Sequence, residues 1–141
     1  MAKQKYVVFR LDKVLFGIHI SLVSEIINPL RIFLVPKSPD AFEGLINVRG
    51  SLHPVFNLRS KFNLNTGAST KSRMLLIRQL GNPMGFLVDE VSEIIEINED
   101  ERVEIPLNVG LDLKTTQHYL QGIVQYKEKL ILLINALEAF Q

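Results

Sequence analysis

The sequence predicts an all-β protein made of two related halves, each of about five short strands curled into a small closed or nearly closed antiparallel barrel. Three observations carry this. Apolar and polar residues alternate with a period of two through much of the chain, the pattern of half-buried strands. Shifting the chain on itself by 68 positions lays Val23-Ser24-Glu25-Ile26-Ile27 on Val91-Ser92-Glu93-Ile94-Ile95, five identities without a gap, with Arg10 on Arg78 and Gly17 on Gly85. A shift of 78 then lays Gly44 on Gly122, Leu52 on Leu130 and Asn57 on Asn135, as expected if one connecting loop of the second half is longer. A long repeat that occurs only twice signals a pseudo-symmetric pair rather than a solenoid.

The elements follow in order. Val7, Phe9 and Leu11 alternate with Tyr6, Val8 and Arg10, Asp12-Lys13 turns, and Val14, Phe16, Ile18 and Ile20 return, which is a β-hairpin. A third strand covers the first Val-Ser-Glu-Ile-Ile. Leu45-Ile46-Asn47-Val48 is a fourth, followed by a turn at Arg49-Gly50-Ser51 and a returning strand. A turn or two of helix occupies 58–62, and the polar stretch 63–72, rich in Gly, Ser, Thr and Asn, marks the boundary between halves. The second half repeats the order: a hairpin of 74–80 and 84–88 around Gly81-Asn82-Pro83, the second Val-Ser-Glu-Ile-Ile, then Ile123-Val124-Gln125-Tyr126, a turn at 127–129 and a returning strand. Loops at 98–102 and 108–117 and a short terminal helix at 136–140 complete it.

Halves of roughly 70 residues lie near the limit for an independent core, so they are expected to pack on one another as one domain over 1–141, with approximate halves 1–70 and 71–141 and room for strand exchange between them. The 141 residues carry 47% hydrophobic side chains and no cysteine, which removes thiolate nucleophiles, redox pairs and Cys-ligated metal sites. The longest purely aliphatic run, 130–134, is far short of a membrane span, and the N-terminus lacks a signal-peptide pattern; the expected location is cytoplasmic. Net charge is +1, but residues 1–78 hold 12 basic and 4 acidic side chains and residues 79–141 hold 4 basic and 11 acidic, giving +8 against −7, the makings of an electrostatic dipole.

Catalytic chemistry is missing from the pattern. His19, His53 and His118 are far apart and belong to no ligand spacing, the glycines form no phosphate cradle, and no Gly-x-Ser-x-Gly elbow occurs. Eight of the 15 carboxylates fall between Asp89 and Glu104, but without the glycine-centred spacing of a calcium loop they read as a solvated face. The expectation is a protein that is not an enzyme and takes no cofactor or metal. Small β-barrels also bind single-stranded nucleic acid through basic grooves lined with aromatics. Here the basic residues are dispersed, and Tyr6, Phe9, Phe16, Phe33, Phe42, Phe56 and Phe62 are mostly expected in the core, so nucleic-acid binding stands as the alternative from a different class.

The segment Phe42-Glu43-Gly44-Leu45-Ile46-Asn47-Val48-Arg49-Gly50, followed by Pro54-Val55-Phe56-Asn57-Leu58-Arg59 and Phe62, resembles the signature of the CheW-type chemotaxis coupling proteins. Phe16-Gly17-Ile18-x-Ile20, Val23-x-Glu25-Ile26, Val35-Pro36 with Pro39, Gly85-Phe86-Leu87-Val88-Asp89-x-Val91 and Tyr119-Leu120-x-Gly122 stand in the same order as in that family, so the resemblance covers essentially the whole chain. It implies two packed five-stranded SH3-like barrels and a non-catalytic, stand-alone adaptor. Its partners would be the cytoplasmic signalling tip of chemoreceptors and the similar regulatory domain of a histidine kinase, in membrane-associated arrays reached only through the receptors. A relative serving surface motility or another receptor-kinase pathway fits the same residues.

The resemblance also implies partner-binding positions. Arg49 matches the arginine of the family's Asn-Leu-Arg-Gly element, here with Val48 in place of Leu and with Gly50 after it, and is expected to organise a partner-facing loop. Val23 and Glu25 match a partner-contacting strand, although Val23 fits a core position equally well. Gly44, Gly85 and Gly122 fall where the family has glycines, for contact or for close backbone approach.

Overall fold

The computed structural model describes residues 3–36, 42–61, 71–78, 83–98, 102–103 and 120–135. Among the described residues, eleven strands follow one another as β1 (Lys3–Leu11), β2 (Val14–His19), β3 (Val23–Ile27), β4 (Phe42–Val48), β5 (Ser51–Asn57), β6 (Arg73–Ile77), β7 (Met84–Val88), β8 (Glu90–Asn98), β9 (Arg102–Val103), β10 (Leu120–Tyr126) and β11 (Lys129–Ile134). A 3-10 turn at Ile20–Leu22 joins β2 to β3, and a four-residue helix α1 (Leu58–Lys61) follows β5. The two-residue strand β9 falls where a loop at 98–102 was expected, because a lone edge pairing leaves no alternation to read. The expected terminal helix at 136–140 lies outside the described residues.

The strands form two sheets, in the orders β8-β1-β2-β11-β10-β9 and β3-β6-β7-β5-β4. Each takes strands from both sides of residue 70. The repeat explains the order: the 68 shift carries β1, β2 and β3 onto β6, β7 and β8, the 78 shift carries β4 and β5 onto β10 and β11, and these exchanges turn one sheet into the other. Each sheet therefore combines the first hairpin of one half with the last three repeat strands of the other. Correspondence extends to register. Val23 faces Ile77 as Val91 faces Phe9, and a bulge follows at Ser24 and again at Ser92.

The expected closed antiparallel barrels are corrected in two respects. Among the described residues both sheets are open, and each contains one parallel join, β2 with β11 and β5 with β7. Those joins unite second strands of hairpins from different halves, which no direct turn connects. Other segments meet the outer edges of β4 and β10 at equivalent positions. Phe33 exchanges backbone hydrogen bonds with Leu45 at 2.7 and 2.9 Å, and β9 pairs with β10 at the equivalent Ile123.

Packing shows why β1 reads Tyr6-Val7-Val8-Phe9 without a polar break: it is buried on both faces. Val7, Phe9 and Leu11 join Phe16, Ile18, Leu75, Ile77, Phe86, Ile123, Leu132 and others in a core shared by the two sheets. Tyr6 and Val8 face a small second core with Ile95, Ile97, Val124, Ile131 and Leu133, around which the first sheet curls. Ile46, Val48, Val55, Met74 and Leu76 fill the corresponding core of the other sheet. The charge imbalance is partly consumed by the same arrangement. Basic β1 lies beside acidic β8, with Lys3 4.0 Å from Glu96, Arg10 3.4 Å from Glu90 and Lys5 opposite Glu96.

Candidate partner-docking site

The hairpin of β4 and β5 turns on two residues, Arg49 and Gly50, both with positive φ (50° and 89°). That two-residue geometry matches the right-handed twist of the strands it joins. Glycine suits the second position, and a side chain there would meet open space, so conformation and not crowding favours Gly50. Asn47 stabilises the turn by accepting the Gly50 N–H on its Oδ1 at 2.8 Å.

Arg49 reaches from this turn to the other edge of the sheet. Its Nη2 donates to Glu25 Oε2 on β3 at 2.6 Å, so side chains span a gap that no backbone ladder closes. The hydrogen bond and charge of Glu25 raise the already high pKa of the Arg49 guanidinium, which stays charged through and beyond neutral pH. The pair is solvent-facing and geometrically specific, an ionic strut on the rim of a curled sheet. Exposed pairs of this kind add little stability, so its position matters more than its energy.

Strands β3 and β5 and the segment beside β4 carry exposed apolar side chains. Ile26 follows Glu25, Leu52 lies two residues past the turn, and Leu30, Phe33, Leu34 and Val35 project from the segment that borders β4, Leu34 being 84% exposed. Arg31 lies over the Phe33 ring at 4.9 Å. Phe33, expected in the core, is thus corrected to the surface, because its backbone pairs with Leu45 at the sheet edge and leaves its ring outside. Gly44 is what permits this approach: a Cβ there would strike the Phe33 carbonyl, and φ is +145°. The segment's signal in the sequence is the run Leu30-Arg31-Ile32-Phe33-Leu34-Val35 between two prolines, apolar but for Arg31 and without alternation.

The other singled-out residues divide. Val23 begins β3 beside the rim but also packs against the shared core. Gly85 is buried on β7, where a Cβ would make ordinary contacts with Ile46, Val55 and Met74, and Gly122 is buried on β10 in the other sheet. The structure therefore brings Glu25, Arg49, Gly50 and Val23 to one rim, places Gly44 behind it, and leaves Gly85 and Gly122 elsewhere. His19 is occupied by hydrogen bonds to Gln4 and Ser21, and no group of three potential metal ligands occurs among the described residues.

One buried ionic cluster escaped the sequence reading. Arg59 on α1 pairs with Asp89, whose Oδ2 also accepts the Asp12 N–H at 2.7 Å. Both side chains are buried, and a separation of 30 positions hid their pairing. Each residue stands in one of the motifs that carry the family resemblance, and nothing in those motifs joins the two.

A family model described as the CheW-like domain matches residues 5–141. The chain belongs to the CheW-like family. It is 27% identical over 124 residues to the chemotaxis protein CheW of Helicobacter pylori, covering 87% of this chain and 73% of that one. It is 28% identical over 134 residues to the chemotaxis protein CheW of Bacillus subtilis, covering 94% and 84%. Among solved structures, the scaffolding protein TtCheW from Thermoanaerobacter tengcongensis superimposes with a TM-score of 0.86 at 32% identity, covering all of this CheW-like chain and 90% of its own. No helix among the described residues is long and apolar enough to cross a membrane.

Proposed function

We infer that this CheW-like protein is a non-catalytic chemotaxis adaptor that couples receptors to a histidine kinase. The family match over 5–141 carries the reading, and an exposed apolar rim braced by Glu25 and Arg49 gives it a physical basis. A scaffold needs exposed apolar surface for partners to cover, and this rim carries such side chains on the same sheet edges as an ionic pair. The finer reading is that Val23, Glu25, Gly44, Arg49 and Gly50 form or shape a partner-contacting surface in a cytoplasmic protein that works as one domain. Its partners are the signalling tip of a chemoreceptor and the regulatory domain of the kinase. Each contact can be individually weak, because clustering in an array raises the effective concentration of the next.

The test is direct titration of the full chain with a receptor signalling helix and with a kinase regulatory domain, using a single-stranded oligonucleotide as the competing ligand. Saturable binding to both proteins and none to the oligonucleotide is expected. Glu25→Lys, which sets like charges face to face on the rim, should weaken one protein partner selectively; unchanged binding of both would remove the rim from the reading.

A further inference from the structure

The repeat provides two copies of one strand for comparison. β3 and the start of β8 share Val-Ser-Glu-Ile-Ile, are paired at corresponding registers, and carry the same bulge. They are nevertheless held differently. β8 has nine residues and buries Ile95 and Ile97, whereas β3 has five and buries none, its Ile27 being only partly covered where the matching Ile95 is fully enclosed.

The points at which the chain passes between sheets differ as well. Before β8, the carboxylate of Asp89 holds Arg59 from helix α1 and the Asp12 N–H from the turn between β1 and β2, and its own N–H donates to the Arg10 carbonyl at 3.0 Å. Arg10 closes the cluster by donating to the Asp12 carbonyl at 2.8 Å and pairing with Glu90. A buried carboxylate with a charged partner and backbone donors fixes position strongly, since removing any one member leaves a buried charge uncompensated. Before β3, the repeat places Ser21 where Asp89 would be, exposed and bonded to the His19 ring, and the sequence has Leu137 where a second Arg59 would fall.

We propose that the Arg59–Asp89 clamp makes the two repeat-related edge strands mechanically unequal: β8 is fixed, β3 yields, and a partner docking on the Glu25–Arg49 rim meets an adjustable strand. The proposal rests on the adaptor reading for its partner but concerns the free protein first. Arg59 and Asp89 act as positioning residues and touch no partner themselves.

Amide hydrogen exchange on the full chain tests it, with the shared sequence as internal control. Backbone amides of Glu25, Ile26 and Ile27 should exchange about tenfold or more faster than those of Glu93, Ile94 and Ile95, the signature of local opening in one strand alone. Asp89→Asn should speed the β8 amides towards the β3 rates while leaving Leu75 and Phe86 in the central strands unchanged. Where that variant does not fold, Arg59→Lys, which keeps the charge but not the planar fork, should do the same to a smaller degree. Equal protection of β3 and β8 in the unaltered protein would overturn the proposal, as would a uniform acceleration of every amide by either variant. Adding a kinase regulatory domain should slow the β3 amides and leave β8 unaffected; absence of any binding would refute the docking partner while the free-protein comparison still decides the clamp.

Discussion

Arg49 occupies a left-handed conformation that glycine would hold without strain, and this sets up a separation of roles at a single residue. Arg49→Ala and Arg49→Gly both lose the hydrogen bond to Glu25, but only the second relieves the backbone. The glycine variant should be more stable than the alanine variant by about 1 kcal/mol in thermal melts, while both lose receptor-stimulated kinase activity to the same extent. Near-native activity in either would make the strut dispensable. Because an exposed pair adds little to stability, Arg49→Ala should also leave the unfolding midpoint close to that of the unaltered protein. The sequence named Glu25 and Arg49 separately, each through family resemblance, and could not pair them, since they stand 24 positions apart and neither charge stands in a periodic pattern. Asp89 and Arg59 were hidden differently, one among eight carboxylates and the other among dispersed cations.

At the scale of elements, period and repeat were legible and partnership was not. Alternation located the hairpins, and the 68 and 78 shifts identified which strands correspond, yet neither signal says that β2 will run parallel beside β11 or that β8 will lie against β1. Those choices are made by apolar faces seeking cover on both sides, as β1 shows. Phe16 on β2 is fully buried against Phe9, ring centroids 5.7 Å apart, in the core that both sheets share. Phe16→Ala should cost about 3 to 5 kcal/mol in denaturant unfolding, through lost transfer energy and an unfilled cavity. A smaller change tests the border segment: Gly44→Ala forces a methyl group into the Phe33 carbonyl and should destabilise the protein by about 1 to 3 kcal/mol, with docking on the rim falling further than stability alone accounts for. Docking that tracks stability would confine Gly44 to a structural role.

Across the whole molecule, the exchange of strands between halves draws each core from both halves of the sequence. Fragments 1–70 and 71–141 should each lack cooperative unfolding alone and regain it when mixed, as read by circular dichroism and thermal melts. Two fragments that melt cooperatively on their own would show that the halves are independent after all. The charge imbalance belongs to this scale too. The +8 and −7 visible along the chain are partly offset in the fold, because the exchange lays basic β1 against acidic β8. Linear sequence displays such a separation readily, whereas its cancellation depends on which strands become neighbours.

The exchanged topology also changes the order of the folding reaction. A single half could complete either sheet only by borrowing strands from a second molecule, so its folding would be bimolecular and its melting point would climb with concentration. Joining the halves in one chain turns that encounter into a loop closure, whose entropy grows only slowly with the length of the connector. The same two sheets, assembled without a partner to find, then stay folded at whatever dilution the cell imposes.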